Sequence, residues 1–224
     1  MKRVALYGGT FDPVHAGHIA VARELLRLLA LDEVLFIPAF VAPHKRGLAV
    51  TPALQRYAML ALATQGEPRL RLSSVELDEP AKPYTVETLA RMQAQLGASA
   101  QLFFVMGADS WTEIETWREW ERVLELANHV VVTRPGYELS AEHVTPAIRE
   151  RMVDLRGLET EAVARALLAS NEGPKIYVTD AVLMDVSATA IRRLASEGRS
   201  REVAELVPPP VAEFIEKQKL YRKD

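Results

Sequence analysis

Cysteine is absent from all 224 residues, so disulfides, thiolate metal sites and thiol nucleophiles are excluded. Long apolar runs are missing too, and none approaches the roughly 20 residues that cross a bilayer, so no membrane partner is expected. Excess positive charge is also lacking: 27 Lys and Arg face 30 Asp and Glu, for a net charge of −3, and the basic residues are spread out. That balance argues against nucleic acid as a partner. There is no internal repeat and no low-complexity tract. An apolar run begins at Val4, which leaves no room for a leader ahead of it, and the expected setting is the cytoplasm. The remainder, 49% hydrophobic and 25% charged, is the balance of a globular chain long enough for one substantial α/β domain.

Strand-like runs alternate with helical patterns. Val4–Tyr7, Val34–Ile37, Leu70–Val75, Leu102–Met106, Val130–Thr133 and Ile176–Val178 read as strands. Between them Ile19–Ala30, Pro52–Ala63 (Thr51 as N-cap), Val86–Gln95 (Thr85 as cap), Trp120–Leu126 and Glu161–Ala169 read as helices. The alternation predicts an α/β, Rossmann-like, doubly wound and mostly parallel sheet with helices on both faces. Gly136–Pro174 is more polar and lacks a strong strand, so it reads as a helical insertion. From about 186 to 224 the chain reads as all helical: Ala188–Glu197, Ser200–Leu206, and Val211–Lys219 after three prolines. One domain over 1–224 is the simplest organisation.

The most informative stretch is Tyr7-Gly8-Gly9-Thr10-Phe11-Asp12-Pro13-Val14-His15-Ala16-Gly17-His18. It follows the first strand and leads into the first helix. Glycines there let backbone N–H groups approach a ligand, and a helix start favours anions. Were the helix to begin near Val14, His15 and His18 would share one of its faces. A glycine-lined anion site flanked by imidazoles suits polyphosphate chemistry. The rival, a metal bound by both histidines, needs a third ligand such as Asp12 or His44. A metal has no use for a glycine-lined anion turn, so no protein-ligated metal is expected.

Three other segments can converge on this one. Pro43-His44-Lys45-Arg46 follows the second strand, and Lys45 could meet a phosphate as a point charge, or the segment is a solvated turn. Met106-Gly107-Ala108-Asp109-Ser110 ends the fourth strand, where Asp109 could accept from ribose hydroxyls or merely cap the next helix. In Ser187-Ala188-Thr189-Ala190-Ile191-Arg192, Ser187 reads as an N-cap with Arg192 one turn on, either a second anion site or an ordinary capped helix. Trp111 and Trp120 suit helix packing, while Trp117 could stack on an aromatic base.

With Gly8-Gly9-Thr10-Phe11-Asp12-Pro13 running into His15-x-Gly17-His18, and Ser187-x-Thr189-x-Ile191-Arg192 near the other end, the chain resembles the nucleotidyltransferase superfamily. Pro43-His44-Lys45, Tyr84-Thr85-x-x-Thr88-Leu89, Gly107-x-Asp109-Ser110, Trp117 and Arg134-Pro135-Gly136 make it similar to the bacterial nicotinate-nucleotide adenylyltransferases. The resemblance implies a magnesium-dependent reaction in which the phosphate of nicotinate mononucleotide attacks the α-phosphorus of ATP. Nicotinate adenine dinucleotide forms and pyrophosphate leaves. It further implies that Gly8, Gly9, Thr10 and Phe11 line the nucleotide site and that His15 and His18 meet the ATP phosphates; on physical grounds at least one of the two is expected to be protonated, suiting charge stabilisation better than general base. Lys45 would reach the mononucleotide phosphate; Ser187, Thr189 and Arg192 would hold the β- and γ-phosphates. Gly107 and Asp109 would meet the adenosine ribose, and Thr85 and Trp117 the pyridine ring. The implied partners are small molecules, ATP and nicotinate mononucleotide, and the resemblance leaves a homo-oligomer open.

The chain departs from the family pattern at Ala42, where a second proline is common, at Arg118, where an aromatic residue is common, and at Ala188, where a hydroxyl is common. Arg118 either favours the nicotinate carboxylate or points to solvent in a helical ion pair with Glu115 or the neighbours of Glu121; the solvent position is expected. Rival functions are transfer to another acceptor, such as phosphopantetheine, a sugar or glycerol phosphate, or nicotinamide mononucleotide, and a nucleotide sensor without turnover.

Overall fold

A computed structural model describes residues 1–40, 50–78, 84–133, 139–168, 173–180, 184 and 186–222. Its strands are β1 (Lys2–Gly9), β2 (Glu33–Pro38), β3 (Leu70–Leu72), β4 (Ala100–Gly107), β5 (Asn128–Val132), β6 (Met152–Asp154) and β7 (Ile176–Thr179). All pairings are parallel, in the order β3-β2-β1-β4-β5-β7-β6. The helices are α1 (Ala16–Leu28), α2 (Ala53–Ala63), α3 (Thr85–Leu96), α4 (Ala108–Thr112), α5 (Trp120–Leu126), α6 (Pro146–Arg149), α7 (Thr160–Leu168), α8 (Ala188–Ser196), α9 (Ser200–Leu206) and α10 (Pro209–Lys217).

Strands buried on both faces need no polar alternation, which is why they stand out in sequence as apolar runs. Val4 and Leu6 face one layer with Phe104 and Val131, packed by Leu89 of α3, Trp111 of α4 and Val123 of α5. Ala5 faces the other with Phe36, Phe103 and Val130, packed by Leu25 of α1, Met59 of α2, Ile191 of α8 and Val211 of α10. In α1 the buried positions Ile19, Ala22, Leu25 and Leu26 recur at helical spacing. Leu25 is wholly removed from solvent, a burial that contributes about 1.5–3 kcal/mol.

The structure corrects several expectations. The region expected to be a helical insertion supplies β6, the edge strand beside β7, as well as α6 and α7. Its three residues are too short a run for a periodic signal. The third strand stops at Leu72, and Val75 is buried in a turn instead. Helix α1 begins at Ala16 with His15 as N-cap; Pro52 rather than Thr51 precedes α2, and Tyr84 rather than Thr85 precedes α3. Gly107, not Asp109, is the N-cap of α4. Pro209 and Pro210 lie inside the first turn of α10, where a missing N–H costs nothing. Ala169, at the end of the helix expected over Glu161–Ala169, lies outside the described residues, as does the Arg134-Pro135-Gly136 segment.

His129 in β5 is fully buried, 5.8 Å edge-on from the Phe104 ring, and burial pushes its imidazole down to about 3. The unfolded imidazole, near 6.5, takes up a proton where the folded one does not. The stability contributed by neutral burial is therefore complete above pH 6.5 and drains as the pH falls toward 3, by about 2 kcal/mol at pH 5. His129→Phe is expected to lessen the drop in Tm between roughly pH 7 and pH 5. Equal drops in both proteins, followed by thermal melts, would assign the acid sensitivity elsewhere.

Candidate active site

From β1 the chain steps outward to β2 and β3 on one side, then returns to β4 and steps to the other side. A crevice must open where the order reverses, beyond the carboxyl ends of β1 and β4. Gly8 and Gly9 end β1 there, and Gly107 ends β4. A Cβ on Gly9 would stand 2.8 Å from the Phe11 ring, so only glycine lets the turn fold back on itself. Phe11 itself has φ 49°, and its buried ring packs on Tyr7, His18 and Phe36 at 5.0–5.5 Å. It supports the turn from beneath.

Beyond the turn, His15 caps α1 and its imidazole stacks on that of His18, with ring centroids 3.7 Å apart. The His15 backbone N–H donates to His18 Nδ1 at 3.2 Å, which leaves Nε2 of the neutral His18 ring to carry its proton. Burial lowers the His15 imidazole to about 4; burial, then the charge of His15, lowers His18 well below the usual range. This corrects the expectation that one of the two is protonated: without an anion both are neutral at pH 7, because neighbouring rings replace water around them.

The two terminal motifs meet here. A Cβ on Gly17 would stand 2.8 Å from Val186 Cγ1, so glycine permits α1 to touch the segment leading into α8. Arg192 donates to the Asp12 carbonyl at 2.7 Å and to Thr189 Oγ1 at 3.2 Å. Ser187 accepts from Ala190 N–H at 3.2 Å and is the expected N-cap. Asp12 is turned away from the histidines: its carboxylate accepts from Tyr221 Oη at 2.8 Å and Thr51 N–H at 3.2 Å. Among the described residues no group of three His, Asp or Glu side chains could hold a metal ion.

On the other side of the turn lies a cavity of about 380 Å³ lined by Gly8, Gly9, Thr10, Gly107, Thr85 and Trp117, all singled out in the sequence. Trp117 is half-buried, its ring edge-on to Phe104 at 6.2 Å. Asp109 is exposed in the first turn of α4, while its neighbour Ser110 lines the cavity. His44 and Lys45 lie outside the described residues.

Three participants escaped the sequence reading. Arg56 of α2 is 1% exposed, and its guanidinium donates to the carbonyls of Thr10, Ala39, Phe40 and Thr51. Its signal was an arginine on the helical stripe of Met59, Leu60 and Ala63. Tyr221 ties the C-terminal segment to Asp12, with no local pattern to announce it. Glu76 lines the cavity, accepts from the Thr88 hydroxyl at 2.8 Å, and is pushed up to about 6 by burial.

A parallel sheet whose glycine-lined switch point faces a helix start bearing two imidazoles defines a nucleotide-binding α/β protein of the Rossmann-like kind. A family model described as cytidylyltransferase-like matches residues 6–194. A probable nicotinate-nucleotide adenylyltransferase of Desulfatibacillum aliphaticivorans is 38% identical over 98% of this chain and 99% of that protein. One from Thermus thermophilus is 39% identical over 98% of this chain and 100% of its own. The solved Plasmodium falciparum nicotinic acid mononucleotide adenylyltransferase complexed with NaAD shares the fold, with TM-score 0.73 at 17% identity, over 99% of this chain and 98% of that one. The chain belongs to the nicotinate-nucleotide adenylyltransferase family within the cytidylyltransferase-like proteins.

Proposed function

We propose that the enzyme transfers AMP from ATP to nicotinate mononucleotide, forming nicotinate adenine dinucleotide and pyrophosphate, a step of NAD biosynthesis. The observation that carries the reading is one crevice with two unlike halves, imidazoles and a capped helix start on one side and an aromatic-walled cavity on the other. A triphosphate suits the first, a pyridine nucleotide the second, and the Gly8–Phe11 turn joins them. Membership of the family supports the same pairing of substrates.

An anionic phosphate oxygen of the mononucleotide attacks the α-phosphorus of ATP in line; the bond to the β-phosphate oxygen breaks and pyrophosphate departs. The nucleophile is already charged, so no general base is required, and catalysis rests on positioning and charge stabilisation. The neutral imidazoles of His15 and His18 donate N–H bonds, and the arriving anion raises their proton affinity. Ser187, Thr189 and Arg192 receive the departing phosphates, Lys45 the mononucleotide phosphate. Gly107 and Asp109 take the adenosine ribose, and Thr85 and Trp117 the pyridine. Magnesium fits as an ion carried on the ATP phosphates, since it keeps waters and phosphate oxygens as ligands and needs few from the protein. When bound it neutralises charge on the leaving pyrophosphate. The C-terminal helices belong to the same domain on this reading, because α8 and α10 share the core of α1 and α2. No described helix is long and apolar enough to cross a membrane.

The test is incubation with magnesium-ATP and either nicotinate mononucleotide or its amide, following pyrophosphate and dinucleotide. Dinucleotide formed preferentially from the acid is the expected result. Silence with both in a folded protein that binds ATP would overturn the reading.

A further inference from the structure

We propose that Arg118 selects a carboxylate-bearing pyridine mononucleotide over its amide, an inference that rests on the acceptor reading above. Among the described residues lining the cavity, Arg118 is the only cation, whereas Glu76 and Glu113 each add a carboxylate. An acidic ring substituent entering that space meets like charge unless a guanidinium neutralises it. An amide would suffer no such penalty, so a guanidinium at this position adds to discrimination in favour of the acid.

Arg118 is placed and uncommitted in the way this role requires. Its guanidinium lies 4.9 Å from the centre of the Tyr84 ring, beside Trp117 and Thr85. Its ion pairs are long, 3.7 Å to Glu87 and 3.7 Å to Glu119, and lie on the solvent side as expected, though not with Glu115. Both carboxylates already have closer donors: Glu87 accepts from Tyr84 N–H at 2.9 Å, and Glu119 from Arg122 at 2.9 Å. Its side chain remains 54% exposed, so an incoming carboxylate gains a bidentate partner at little cost in broken bonds. Glu119, with φ 50° and ψ 44°, adopts a left-handed backbone immediately after Arg118, a strained conformation beside a cavity-lining residue.

The experiment compares kcat/KM for the acid and the amide in the full-length wild type, Arg118→Gln and Arg118→Lys, with thermal melts to confirm folding. Arg118→Gln is expected to lower the acid-to-amide ratio about 10- to 100-fold, carried by KM for the acid. Arg118→Lys should recover part of the ratio, since it restores charge without the fork. A folded Gln variant with the wild-type ratio, or equal losses on both substrates, would overturn the role of Arg118 alone. Absence of dinucleotide from either substrate in the wild type would instead overturn the acceptor reading and this inference with it.

Discussion

His18→Ala is expected to lower kcat by about 10²- to 10³-fold, the loss typical of removing one preorganised donor at a developing charge. The ring is held in one tautomer by the His15 backbone N–H at 3.2 Å, and it is gripped by the rings of Tyr7, Phe11 and His15. Its donor is therefore fixed before ATP arrives and needs no reorganisation during the reaction. The stacked pair also forbids double protonation in the free enzyme, since two charges would lie 3.7 Å apart. The structural cost of the substitution is smaller. It leaves the His15 N–H without an acceptor and trims one half-buried ring, about 1–2 kcal/mol together, or a fall in Tm of a few degrees. Steady-state turnover and a melt on the same sample separate the two effects. A variant within threefold of wild-type kcat would remove His18 from the catalytic machinery.

How much of this was legible in sequence depended on whether the signal was local. Val4–Tyr7 and Leu102–Met106 announced themselves because both faces of each strand are buried. Gly9 was legible as part of a turn open to a ligand, but the neighbours that exclude a Cβ, Phe11 at Gly9 and Val186 at Gly17, were not. Convergence of Gly8–His18 with Ser187–Arg192 was legible from the residues as one option, because no spacing rule joins residues 180 apart, as Arg192 and Asp12 are, and it was favoured by the resemblance. Beyond reach were properties made by neighbours. The imidazoles lose their charge because they are buried against each other and against Tyr7 of β1 and Phe11 of the turn. Met152–Asp154 is a strand because β7 offers an open edge. Tyr221 matters because α10 brings the C-terminal segment back across α2 to Asp12.

Arg56→Leu is expected to destabilise the protein by about 3–5 kcal/mol, more than any other single change discussed. The guanidinium gathers Thr10 of the glycine turn at 2.6 Å, Ala39 and Phe40 beyond β2 at 2.7 and 2.9 Å, and Thr51 ahead of α2 at 2.9 Å. Among the described residues none of those carbonyls accepts a helix or ladder bond of its own, so the arginine substitutes for secondary structure where three loops must meet. Leucine fills much of the volume but leaves four acceptors unpaired in a space 1% open to solvent. Burial works against the charge, and Asp12, Tyr221 and Glu76 work for it, so removing the cation also takes a favourable charge from beside the buried Asp12 carboxylate. At roughly 2–4 °C per kcal/mol for a chain of this size, Tm should fall by about 6–20 °C. Arg56→Lys should recover little, because an ammonium cannot fork across three segments. Below the lowered Tm, the surviving folded fraction should show a raised KM for ATP, since Thr10 anchors the turn that meets the nucleotide. A variant melting within about 2 °C of wild type would mean that the loops hold their carbonyls by other means.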